Sequence, residues 1–271
     1  MKLCYQVATP DVKISPSVTS YQGDIETSFK ELSEMGYEGV ELMSRDPKEI
    51  DREHIKELAE KYKLEIVMVC TGEAFGQDKL KLVDRDPEVR ERAFERTKAF
   101  IDLASYFGAG INIGRLRGHY YEDIPREKTY QLAVEVMGRL AEYAGERDVV
   151  IVIEPVTMLQ TNFLNSTQEA LELIKEVNHP AFRAMIDIYH ANIEDKDLYE
   201  SIRESKDYLA HVHIADNNRK IPGTCGFDFP KIIETLREID YKGVLAAEMF
   251  QIPDQKTAAE ETIKFLKPLL N

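Results

Sequence analysis

Four ionisable residues each stand at or near the end of a short apolar run. VVIVIEP carries Glu154, FRAMID ends at Asp187, LAHVHI carries His213, and GVLAAE ends at Glu248. Successive members are 33, 26 and 35 residues apart, each about one strand-loop-helix repeat. Singly, each has a structural explanation: Glu154 as an exposed strand end before Pro155, Asp187 as the cap of a following turn, His213 as a hydrogen-bonded core histidine. Gathered in one sheltered mouth, three carboxylates and an imidazole would repel or stay unsatisfied without a cation. These hard to borderline donors favour one divalent ion, Mn²⁺ first and Mg²⁺ or Co²⁺ after it, with positions left open for substrate oxygens. The chemistry in view is metal-assisted.

Something must deliver those side chains to one rim. Eight short apolar runs recur along the chain, at 3–8, 39–43, 64–70, 110–114, 149–154, 183–187, 210–215 and 243–248. Between them, stretches such as 88–107, 128–145 and 229–239 carry apolar residues three and four apart with charge between, the pattern of amphipathic helices. Ser166 and Thr167 ahead of Glu169 can cap a helix start, and Pro180 closes that unit after Asn178. Gly36, Gly108, Gly110 and Gly243 lie between helix and strand, where a left-handed residue commonly ends a helix. Eight strand-helix units without a linker predict an α/β protein, a single (β/α)₈ barrel domain over 1–271, and an open doubly wound sheet is the alternative. In a closed barrel, groups at the carboxyl ends of strands share one face.

Composition narrows the partners. A formal charge of −14, from 49 acidic against 35 basic residues, repels nucleic acid and anionic membranes. The cysteines Cys4, Cys70 and Cys225 are odd in number and form no close CxxC pair, so neither a disulfide framework nor a thiolate zinc site is expected. The opening MKLCYQVATPDVKI is too short and too soon broken for a secretory leader, and no apolar stretch approaches a membrane span. A cytoplasmic protein is expected.

Several segments in order resemble the xylose isomerase-like TIM barrel superfamily, and within it the ketose 3-epimerases of the tagatose, psicose and ribulose types. They are MGYEGVEL at 35–42, IEP with Glu154, the DxxH of Asp187 and His190, HVHIADNNR from His211 to Arg219, the PGxxGF loop at 222–227, and YKGVLAAE. The similarity covers essentially the whole chain. It implies metal ligands at Glu154, Asp187, His213 and Glu248, with Glu154 and Glu248 doubling as the acid/base pair. It also implies that His190 and Arg219 grip oxygens of a small sugar substrate, and that the protein is a homodimer or homotetramer. Epimerisation beside a carbonyl fits these groups, because two carboxylates flanking a planar enediolate can take a proton from one face and return one to the other. A cation on the ketone and neighbouring hydroxyl would stabilise the charge that develops.

The pair His211 and His213 faces one side of a strand, with His211 a layer deeper. The motif assigns the ligand to His213 and leaves His211 a packing or supporting role. Asp216 either holds a ligand or Arg219 in place or is a solvated loop acid. Cys70 matches a cysteine that lines the epimerase pocket, although a buried small hydrophobe is the plainer reading. Gln160 departs from the pattern, since the epimerases carry a second glutamate there. The loop GRLRGH at 114–119 is basic for so acidic a chain. Arg115 could bind a sugar phosphate, or the loop could simply pair with Glu122 and Asp123 at the surface. Glu41 is expected to accept a hydrogen bond near the barrel mouth.

Three other readings compete. An endonuclease IV-like nuclease would need more histidines than the six present, and a negative charge disfavours it. Inosose or dehydroshikimate dehydratases and hydroxypyruvate isomerases share proton abstraction beside a carbonyl, so ligands alone do not separate them. A non-catalytic sugar-binding barrel would be expected to lack part of the ligand set, and all four residues are present.

Overall fold

Successive side chains of a strand point to opposite faces, so a strand buried on both sides can serve two different environments by parity alone. β1, Lys2–Ala8, shows this in the computed structural model of the chain, which describes residues 1–270. Leu3, Tyr5 and Val7 join the main apolar core, whereas Gln6 turns into the central cavity. The remaining strands are β2 Gly39–Met43, β3 Glu65–Cys70, β4 Gly110–Ile113, β5 Ile151–Ile153, β6 Phe182–Asp187, β7 Leu209–Ile214 and β8 Val244–Ala247. All neighbours pair in parallel, and β8 pairs with β1, so the sheet closes into a barrel. The open-sheet alternative is excluded.

Outward-facing residues such as Val40, Leu42, Ile111, Ile151, Ile186, Val212 and Leu245 pack against the helices in one continuous core. The interior holds a separate small apolar plug of Met68, Cys70, Val152 and Met185. Above and beside that plug the inward positions turn polar. Register shifts interrupt β2–β3 just before Glu41 and β6–β7 just before Met185.

Helix ends follow local rules. Thr167–Val177 begins at Ser166 with a reciprocal capping box to Glu169 and ends at left-handed Asn178, φ 48°. Gly36 and Gly108 also close helices with positive φ. Gly110 and Gly243 do not, contrary to expectation; Asp240 takes the left-handed position ahead of β8, and Lys63 closes the helix Arg52–Tyr62 ahead of β3. Gly110 lies within β4, where a Cβ would come 3.0 Å from the Val150 carbonyl and 3.1 Å from the Met68 sulfur, so close approach is its reason. No helix among the described residues is long and apolar enough to cross a membrane.

Candidate metal centre and active site

β5 to β8 present their ends to one rim, and the predicted quartet meets there. Glu154, Asp187, His213 and Glu248 each offer a ligand atom, all within 4.8 Å of one another. Glu154 and Glu248 stand one residue beyond β5 and β8, while Asp187 is the last residue of β6 and His213 lies within β7. His213 Nδ1 is 2.7 Å from Glu248 Oε2, 3.6 Å from Glu154 Oε1 and 3.8 Å from Asp187 Oδ2. Fully buried, Nδ1 has no aligned hydrogen-bond partner among the described residues, despite these close carboxylate oxygens. An orphaned buried nitrogen among three carboxylates is the arrangement of donors that converge on a cation, and the residues present fit a divalent ion.

Each of the three carboxylates is held from behind. Asp187 divides its carboxylate: Oδ1 caps the helix Ile188–Glu194 by accepting from the Tyr189 amide at 2.9 Å, and Oδ2 faces the centre. The capping and the ligand readings of this residue are therefore compatible. Thr19 donates to Glu248 Oε1 at 2.7 Å, and Asn112 Nδ2 donates to Glu154 Oε2 at 3.3 Å. Neither contact was anticipated from sequence. Asn112 was detectable as the inward residue of β4, but Thr19 lies in the loop after β1 and carries no local signal.

The Arg219 guanidinium donates to Asp187 Oδ2 and lies 2.8 Å from Glu248 Oε2, with the Tyr189 ring 5.0 Å away. Burial disfavours its charge, but Asp187 and Glu248 outweigh that and hold it firmly protonated. Burial likewise works against the charge of Glu248, and Arg219 and His213 overcome it, holding that carboxyl well below the usual range. For His213 burial disfavours a proton, while Glu41 and Glu248 draw positive charge to the ring strongly enough to raise its affinity. A cation at the centre would answer the same demand.

His190 is buried, with Nδ1 accepting from the Thr157 amide at 3.3 Å and Nε2 3.9 Å from Asp187. Burial lowers its pKa, so the ring stays neutral at neutral pH. Glu41, in β2, is fully buried and accepts from Nε2 of both His211 and His213. Asp216 is no solvated acid: it is buried and accepts from the amides of Asn217, Cys225, Gly226 and Phe227, folding the loop that carries Arg219.

A cavity of about 170 Å³ opens beside Glu154 and Glu248, and Cys70, Arg115, Gln160, His190, Arg219 and Phe250 are also among its walls. The Cys70 thiol donates to Glu41 at 2.6 Å, and burial followed by the Glu41 charge pushes its pKa well up, so it is no thiolate. Gln160 lies exposed on the rim. The surface pairing expected for the basic loop is not what forms. Arg115 lies 3.6 Å from Glu73, Asp123 pairs with Arg85, and Arg117 is wholly buried, donating to four backbone carbonyls. Glu73, at the cavity wall, was not foreseen.

The family model for xylose isomerase-like TIM barrels matches residues 29–269. An L-ribulose 3-epimerase of Methylomonas sp. (strain DH-1) is 30% identical over 226 residues, which is 82% of this chain and 77% of that protein. A 3-dehydro-D-guloside 4-epimerase of Escherichia coli (strain K12) is 25% identical over 88% of this chain and 92% of its own length. The crystal structure of a D-allulose 3-epimerase from Methylomonas sp. in complex with D-allulose superposes with a TM-score of 0.82 at 24% identity, covering 99% of this chain and 96% of that one. At that identity the likeness speaks for the fold. The family match leaves little of the barrel outside it, and so the chain belongs to the xylose isomerase-like TIM barrel family and is an isomerase.

Proposed function

We propose that this enzyme is a divalent-metal-dependent epimerase that inverts carbon 3 of a ketose or ketose phosphate. The observation that carries the reading is the orphaned His213 Nδ1 facing three carboxylates at the strand ends. Glu154, Asp187, His213 and Glu248 would hold the ion, with Mn²⁺ the best match to the donors and Mg²⁺ or Co²⁺ next. When bound, the ion supplies a positive charge beside the ketone and neighbouring hydroxyl oxygens, which acidifies the adjacent C–H.

The chain's own residues do the rest. Glu154 and Glu248 reach the centre from strands separated by β6 and β7. One carboxylate removes the proton from carbon 3, the electron pair passes into a planar enediolate, and the other carboxyl group returns a proton to the opposite face. Their protonation states reset with solvent. Neutral His190 and cationic Arg219 orient substrate oxygens, and Cys70, Gln160 and Arg115 line the wall against the rest of the sugar. Arg115 is the group that would take a phosphate, in competition with Glu73. Assembly as a homodimer or homotetramer and a cytoplasmic location belong to the same proposal. The three free cysteines suit a reducing compartment.

Incubation with Mn²⁺ and a panel of pentuloses, hexuloses and their phosphates in deuterated water is the test. Deuterium at carbon 3 is expected, and none across the panel defeats the reading. A second reading, 4-epimerisation of a 3-keto sugar, is favoured by the Escherichia coli relative matched over 92% of its length. On a 3-keto sugar added to the panel, the same two carboxylates would act one carbon further along, and the label would enter at carbon 4. Loss of water instead of exchange would point to a dehydratase.

A further inference from the structure

The proposed reaction uses only one of the two nitrogens of His213 and gives Glu41 no part, yet Glu41 is a carboxylate sealed completely inside the barrel. Its Oε1 lies 2.9 Å from His213 Nε2, and its Oε2 lies 3.1 Å from the same nitrogen and 2.9 Å from His211 Nε2. Cys70 donates to Oε1 as well. An ionised carboxylate has lone pairs and no hydrogens, so both imidazoles must carry their hydrogens on Nε2. In the neutral ring that a bound cation requires, that leaves the lone pair of His213 on Nδ1, the atom that lies among Glu154, Asp187 and Glu248. The His211 ring stands 5.2 Å from the His213 ring at 81°, so the two are braced edge to face.

We propose that Glu41 is a positioning residue: it fixes the tautomer and orientation of His213, so that Nδ1 is the ligand atom at the metal centre. The inference rests on the reading of the quartet as a metal site. It also explains why one of two histidines on the same strand face is the ligand. His211 meets the clamp with the only nitrogen that faces it, while His213 spans from the clamp to the centre. Glu41, His211 and His213 lie close enough to resemble a second metal site, but their facing atoms are already engaged with one another. A ligating histidine that loses a partner of this kind typically loses roughly 10–100-fold in metal affinity.

The test compares wild type with Glu41→Gln, which preserves size but offers one oxygen in place of two. Mn²⁺ affinity is measured by calorimetry on metal-stripped protein whose fold is checked by circular dichroism. Long-range proton–nitrogen spectra of ¹⁵N-histidine protein loaded with diamagnetic Zn²⁺ report which nitrogen of His213 carries hydrogen. Wild type is expected to show hydrogen on Nε2. Glu41→Gln is expected to bind Mn²⁺ tenfold or more weakly while staying folded. A folded variant with wild-type affinity, or a wild-type spectrum with hydrogen on Nδ1, overturns the role of Glu41 alone. Wild type that binds no Mn²⁺ overturns the metal centre with it. Should the variant fail to fold, the wild-type spectrum decides.

Discussion

A Cβ added to Gly114 would lie 2.5 Å from Oε2 of Glu154, so the backbone just past β4 forms the wall against which this carboxylate rests. Real Cβ atoms do not approach so closely, and Glu154 is the side that can move. Gly114→Ala is expected to displace Glu154 by about 1 Å and to lower kcat by about 10²-fold, the order associated with a misplacement of that size. Steady-state kinetics against a melting curve checks it, because the variant should lose activity out of proportion to stability.

Thr19 is expected to matter through one hydrogen bond. Its hydroxyl donates to Glu248 Oε1 at 2.7 Å, and Thr19→Val removes that donor at nearly constant shape. A hydrogen bond to a charged group contributes about 1.5–3 kcal/mol, so kcat/KM should fall roughly 10- to 100-fold. An effect under twofold would mean that Thr19 does not hold the carboxylate during the reaction.

Removing the metal should remove activity and some stability together. Protein dialysed against chelator is expected to be folded but inactive, and Mn²⁺ should restore turnover. Ion at about 100 times its dissociation constant should stabilise the fold by about 2.7 kcal/mol. Asp187→Asn or His213→Ala should abolish that gain, and denaturant titration with and without Mn²⁺ measures it.

Asp216 gives a pH dependence of stability. Burial raises its pKa, but the amides of Asn217, Cys225, Phe227 and Gly226 outweigh that and hold the carboxyl below its ordinary value. A folded-state pKa below the unfolded one, near 3.9, means that the contribution is present above about pH 4 and is lost as pH falls through the lower folded value. Asp216→Asn should therefore be less stable than wild type at pH 7, by about 1–3 kcal/mol. The gap should narrow below about pH 4 in urea unfolding. Because the loop also carries Arg219, KM should rise as well.

The recurrence of apolar runs and amphipathic stretches was enough to predict eight strand-helix units, since burial of a parallel strand on both faces leaves a local signature. The quartet was legible for the same reason: a polar residue at the end of a buried strand stands out at the spacing of one repeat. Closure was expected from the number of units, but an open sheet of the same units carries the same local pattern. Only the pairing of β8 with β1 turns eight units into a barrel, and that contact joins residues at opposite ends of the chain. The same holds for the groups that brace the site. Thr19 meets Glu248, and Glu41 meets His211 and His213, across separations that no local pattern encodes. Arg117 looked like a surface cation beside Arg115, and only the fold shows it sealed among backbone carbonyls. Periodicity records which face of an element is buried. Which distant side chain waits on the other side of that face is settled by packing.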